Sequence, residues 1–154
     1  MSISSLRKVV YWSALVVTVF NALSAVGGGI AVLVSGGTGM GMPLSMLHGL
    51  FPNYTAPGVI LLVVIGGTQV AATALLVARR EAALLWTAVA GVSMLIWILV
   101  ETGIIAGTSW AQLLYFGTGM VQVVAVLALL GVVAWLPRAA LASASAPPPS
   151  GLVK

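Results

Sequence analysis

The chain contains no cysteine and no aspartate, and only eight of its 154 residues are charged, six Lys or Arg and two Glu. Without cysteine there are no disulfides, no thiol catalysis and no thiolate metal site. Without aspartate there is no Ser/His/Asp set, and two glutamates far apart in the sequence give no paired carboxylates for glycosidic work. One histidine and one span-located glutamate are too few ligands for a zinc site. Charged residues make up 5% of the chain, against about a quarter in ordinary soluble domains. That shortage excludes a water-soluble globule, and a hydrophobic content of 61% excludes a disordered chain. The sequence pI of about 10.2 comes from six scattered basic residues that form no stripe, so nucleic acid is not an expected partner.

Long apolar runs are what the chain does have, and its mean hydropathy is +1.20. Crossing about 30 Å of hydrocarbon takes roughly 20 apolar residues in a helix. Four stretches qualify, over residues 9–34, 59–78, 82–106 and 111–136. Each must be helical, since an isolated strand in lipid would leave its backbone groups unpaired. The expected fold is all-α, an antiparallel four-helix transmembrane bundle occupying residues 1–136. A Pro/Ala/Ser tail, 137–154, has no burial pattern and reads as disordered.

Arg7 and Lys8 precede the first stretch, Arg79 and Arg80 follow the second, and Arg138 and Lys154 follow the fourth. In a four-span chain these positions share one side, and the other side has no Lys or Arg. The positive-inside rule then puts both termini in the cytoplasm of a multi-pass cell-membrane protein. Trp12, Trp86, Trp110 and Trp135 lie near span ends, as interfacial aromatics do, whereas Trp97 lies within a span and reads as packing. The N-terminus also has the parts of a signal peptide, with Arg7-Lys8, an apolar stretch to Phe20 and Ala22-Leu23-Ser24-Ala25. Apolar character continuing through Gly27–Gly29 to Val34 favours a retained span instead.

The outer loop, about 35–57, opens on a glycine-rich run with no phosphate-binding pattern. Pro43 and the apolar residues after it, through Phe51, predict a short interfacial helix capping the outer face. Asn53-Tyr54-Thr55 matches the N-glycosylation pattern. Arg79-Arg80-Glu81 and Gly107-Thr108-Ser109-Trp110 are links short enough to make tight helical hairpins. Gly103 and Gly107 form a GxxxG, whose small residues suit close helix approach, within the chain or between copies.

Polar residues in hydrocarbon are costly, which makes them the candidates for function. At about 1.5 Å per residue, Glu101 and Tyr115 lie roughly 6–8 Å below the outer boundary, and Gln69, Gln122 and Asn21 roughly 16–20 Å below it. Glu101 has no basic residue on its side of the chain. It is expected to turn inward toward Tyr115, Gln112 or His48, as a proton-, cation- or ligand-binding group or as a pin between the third and fourth helices. Asn21, Gln69 and Gln122 are expected to form interhelical hydrogen bonds. Nothing in the set supplies a catalytic nucleophile, and no cofactor or metal is implied.

Several of these residues recur together: Pro43-Leu44-Ser45-Met46-Leu47-His48-Gly49, Phe51-Pro52-Asn53-Tyr54-Thr55-Ala56-Pro57-Gly58, Gly66-Gly67, Arg79-Arg80, Trp97-Ile98, Glu101, Trp110-Ala111-Gln112 and Tyr115. The set, over roughly 42–120, resembles a group of small four-span bacterial membrane proteins of actinobacterial type. The overall arrangement of spans is also similar to that of DoxX-like four-helix membrane proteins. These resemblances imply a topology and no mechanism. The expected function is that of a non-enzymatic accessory subunit or binding module in the lipid bilayer, with a membrane-protein partner or as a homo-oligomer. The alternatives are a proton- or ion-coupled carrier working as an oligomer and, last, an enzyme handling a lipid or quinone.

Overall fold

A computed structural model describes residues 3–131. Expectations for 132–154, including Trp135, Arg138, Lys154 and the tail, lie outside the described residues. The described chain is all-helical and without strands. It has four long helices: α1 (Ile3–Ser35), α2 (Thr55–Val77), α3 (Ala83–Ile105) and α4 (Trp110–Leu129). All four are long and apolar enough to cross a membrane. They pack in a ring, α1 against α2 and α4, and α3 against α2 and α4.

Side-chain to backbone contacts set the ends of the ring. The Tyr11 hydroxyl donates to the Leu76 carbonyl at 2.6 Å, and the Arg7 guanidinium reaches the Leu129 carbonyl at 3.5 Å. The start of α1 therefore lies beside the ends of α2 and α4, where a cation also complements the helix dipole. Arg7, Lys8, Arg79 and Arg80 consequently share one end of the molecule, the basic end. At the other end, Val32, Leu47 and Tyr54 form a buried cluster with Met42, Phe51 and Ile104. The loop after α1 is thereby folded over the ends of α1 and α3 as a cap.

Several boundaries differ from those read from the sequence. Thr55 opens α2, so Pro57 and Gly58 lie inside its first turn, where proline's missing N–H costs nothing. The Asn53 side chain accepts the Thr55 N–H at 2.9 Å, so the asparagine of the glycosylation pattern serves to start α2. Within α2, Ile60–Gly66 is a π-helical segment. It lies against Gly29, where a Cβ would come within 2.7–2.9 Å of Leu62, backbone included. The expected cap helix is a single 3-10 turn, Leu44–Leu47, closed by His48 in the left-handed region (φ 46). The fourth helix is described over Trp110–Leu129, with Leu130 as C-cap and Gly131 at φ 77, and the rest of the stretch expected to reach 136 lies outside the described residues.

The interior is built of small residues, with Ala14, Ala22, Ala25, Ala72, Ala83, Ala90 and Ala125 all buried. Gly91 and Gly119 face each other across α3 and α4, and a Cβ on either would come within 3.1–3.2 Å of the other's carbonyl oxygen. Gly103 has open space around it and Gly107 meets only its own loop, so the GxxxG pair takes no part in packing within the chain. Five of the six largest fully buried side chains are polar: Gln69, Gln122, Asn21, Thr18 and Thr87, beside Leu76. Large apolar groups point outward instead, Val34 at 84% exposure and Leu23 at 72% among them.

Candidate functional site

Two polar groupings stand out in this apolar framework. The first lies halfway along the helices. Asn21, Gln69 and Gln122 are each 0% exposed and come from α1, α2 and α4. Gln69 and Gln122 form a reciprocal amide pair. Gln69 Nε2 donates to Gln122 Oε1 at 3.1 Å, and Gln122 Nε2 donates to Gln69 Oε1 at 2.8 Å. Asn21 Nδ2 donates to the same Gln122 Oε1 at 3.0 Å, and Gln122 Nε2 also donates to Thr18 Oγ1 at 2.9 Å. The third helix joins through its backbone, the Ala90 carbonyl accepting from Gln69 Nε2 at 3.2 Å.

A primary amide has two donor hydrogens and two acceptor lone pairs, and Gln122 uses all four here. One cluster thus ties the four helices together. Asn21 Oδ1 is its one buried oxygen without a partner. Thr18 was not singled out from the sequence, although it lies one helical turn before Asn21 on the same face. It also donates to the Ala14 carbonyl of its own helix at 2.7 Å, as Thr87 does to Ala83.

The second grouping lies near the cap end and is organised around Glu101 on α3. The Trp97 indole and the Gln112 amide are the polar groups placed beside its carboxyl. Gln112 is held in place by the start of α4, where its Oε1 accepts the Ser109 N–H at 2.6 Å. That is the reach-back half of a capping box, legible in the Ser-x-x-Gln spacing. The oxygen being so engaged, the amide NH2 is the part of Gln112 still able to donate. Trp97 precedes Glu101 by four residues, hence by one turn on the same face, and it packs on the core as expected of it.

The other two candidates point elsewhere. Tyr115 stacks on Phe20 of α1, with ring centroids 6.0 Å apart and planes 18° from parallel. It also packs, with Trp97, on the cluster of Ala25, Ile65, Met94 and Ile98. His48 Nδ1 lies 2.8 Å from the Ile104 carbonyl and 3.0 Å from the Met46 carbonyl. Two carbonyls can only accept, so this nitrogen carries the proton, and His48 straps the cap to the end of α3.

Comparison with known protein families, with curated proteins and with solved structures gives no match. Chemical reading of the site therefore rests on its own residues. Among the described residues, no group of three or more His, Cys, Asp or Glu could hold a metal ion. Glu101 offers one carboxyl, two neighbouring N–H donors and an aromatic wall. That arrangement can hold a proton, or the cationic or hydrogen-bonding group of a partner. Two surface depressions lie away from it, along the start of α1 and between α1 and α4.

Proposed function

We propose that the chain is a small integral membrane protein, an antiparallel four-helix transmembrane bundle with both termini cytoplasmic, acting as a non-enzymatic accessory subunit or binding module. Support for the membrane comes from the inverted distribution of side chains. A protein in water buries most of its large apolar groups, whereas this chain buries three amides at its centre and leaves many Val, Leu and Trp side chains exposed. Four apolar helices with Arg7, Lys8, Arg79 and Arg80 gathered at one end fit the positive-inside rule with that end in the cytoplasm.

One observation carries the binding reading. Glu101 lies at the end opposite the described basic residues, beside the neutral side chains of Trp97 and Gln112. A carboxyl in this position suits the cationic or donor group of another membrane protein or of a second copy, because a buried acid gains most from a partner that neutralises it. A carrier would need a path along the bundle axis. The amide cluster fills that axis, so a carrier would have to route its cargo between copies.

The test is purification of the tagged full chain from its native membrane in mild detergent. A defined protein should co-purify at fixed stoichiometry, and Glu101→Gln should weaken that complex while leaving the circular dichroism spectrum unchanged. A complex indifferent to Glu101→Gln refutes the assignment of the contact. Proton or ion flux in liposomes that depends on Glu101 would establish the carrier in its place.

A further inference from the structure

The two depressions along the start of α1 adjoin, with Val9 and Ser13 lining both. The first is walled by Lys8, Trp12, Val16 and Val17. The second, of about 320 Å³, runs between α1 and α4 from Ala128 to Met120, past Val124 and Ala125. At 1.5 Å per residue it extends about 12 Å along α4. The cause of the groove is local: Ser13, Ala125 and Ala128 are too small to close the gap between two helices otherwise lined by Val and Met. Its walls are apolar apart from Ser13, and a cation stands at one end only. Lys8 is exposed at the basic end, and Arg7 lies beside it at the end of α4. The chain has only two carboxylate side chains against six basic ones, so these cations are in excess.

We propose that this groove binds one anionic phospholipid of the inner leaflet, with an acyl chain lying between α1 and α4 and the phosphate paired with Lys8. The proposal rests on the transmembrane reading above. Charge complementarity selects the occupant. A basic group at the cytoplasmic surface beside an apolar slot between helices favours an anionic headgroup over a zwitterionic one. Trp12 stands at the headgroup level, where an indole presents an apolar face and a polar N–H. Ser13 lines both depressions about 7.5 Å along α1 from Lys8, a spacing that suits the glycerol esters of the proposed lipid.

The test uses the full chain reconstituted in vesicles of phosphatidylcholine carrying a small fraction of spin-labelled phosphatidylglycerol or spin-labelled phosphatidylcholine. Electron paramagnetic resonance then reads the motionally restricted fraction of each label. The wild type should prefer phosphatidylglycerol by roughly fivefold, the ratio expected for about one basic residue acting at the surface. Lys8→Gln should bring the preference near parity, Lys8→Arg should keep it, and Ser13→Phe should reduce the restricted fraction of both labels by filling the slot. Equal restriction of the two labels by the wild type, or a preference unchanged in Lys8→Gln, overturns the proposal. Disulfide-linked dimers of Ser13→Cys would assign the groove to a second copy and also overturn it. Failure of the chain to enter the vesicles at all would refute the transmembrane reading itself, an outcome distinct from entry without headgroup preference.

Discussion

Replacing Gln122 with methionine keeps the length of the side chain and removes its amide. Four hydrogen bonds disappear with it, two accepted by Oε1 from Asn21 and Gln69 and two donated by Nε2 to Thr18 and Gln69. Interhelical hydrogen bonds in membrane proteins average about 0.6 kcal/mol each, so the four together amount to about 2.4 kcal/mol. The partners fare unequally. Gln69 keeps the Ala90 carbonyl though its Oε1 loses its donor, Thr18 keeps the Ala14 carbonyl, and Asn21 fares worst, since Oδ1 is already unpaired and Nδ2 loses its acceptor. A fully buried amide left without partners costs a further 1–3 kcal/mol or so. Gln122→Met should therefore destabilise the chain by roughly 3–5 kcal/mol, measured by reversible unfolding in mixed detergent micelles with circular dichroism as the readout.

Adding Asn21→Leu removes the stranded amide, so the double variant should recover about 1–3 kcal/mol of that loss. The decisive quantity is the coupling in the double-mutant cycle. If Gln122→Met costs less than about 1 kcal/mol, or if the two changes simply add, the cluster is not the interlocked unit that its geometry describes.

Other perturbations probe the packing, the helix ends and the cap. Gly29→Ala puts a Cβ against the Leu62 backbone, which cannot swing away, and should cost about 1–3 kcal/mol. Gly103→Ala meets nothing and should be neutral or stabilising by up to about 1 kcal/mol through helix propensity, as the same unfolding assay would record. At the end of α2, Arg79 adopts φ 51 while Arg79 N–H bonds the Leu76 carbonyl and Arg80 N–H bonds that of Leu75, an arrangement that glycine fits best. Arg79→Gly should raise stability by about 1 kcal/mol, and a loss of stability would show that the arginine charge outweighs the backbone strain. Burial raises the pKa of Tyr54 above the ordinary tyrosine value of about 10. The unfolded chain then gives up this proton at lower pH than the folded one, so the cap's stability is intact below about pH 10 and declines as pH rises through the folded pKa. Hydrogen exchange at residues 37–54 across that range should show the cap opening, and Tyr54→Phe should remove the dependence.

Residue type and run length carried much of the architecture. Four stretches each needed to satisfy their backbone internally, and the helices over Thr55–Val77 and Ala83–Ile105 lie close to the limits that apolar length alone suggests. The end of α4 was less legible, because Gly131 reads as one more small residue until its positive φ is seen. For the polar residues, the sequence by itself determined depth, since residue number times helical rise is a local quantity. It marked Asn21, Gln69 and Gln122 as lying near mid-helix, and Glu101 as the acid with no cation on its side of the chain.

Rotation about each helix axis is not local. It depends on how closely the backbones approach at Gly29 with Leu62 and at Gly91 with Gly119, and on the π-helical segment at Ile60–Gly66 that precedes Gln69. Those contacts decided that Gln122 meets three side chains at once. They also decided that Glu101 sits beside Trp97 and Gln112 while Tyr115 turns to Phe20. Solvation of a segment is a sum over its residues, and a sequence states that sum. The meeting of two side chains depends on the geometry of neighbouring helices, which only the folded chain specifies.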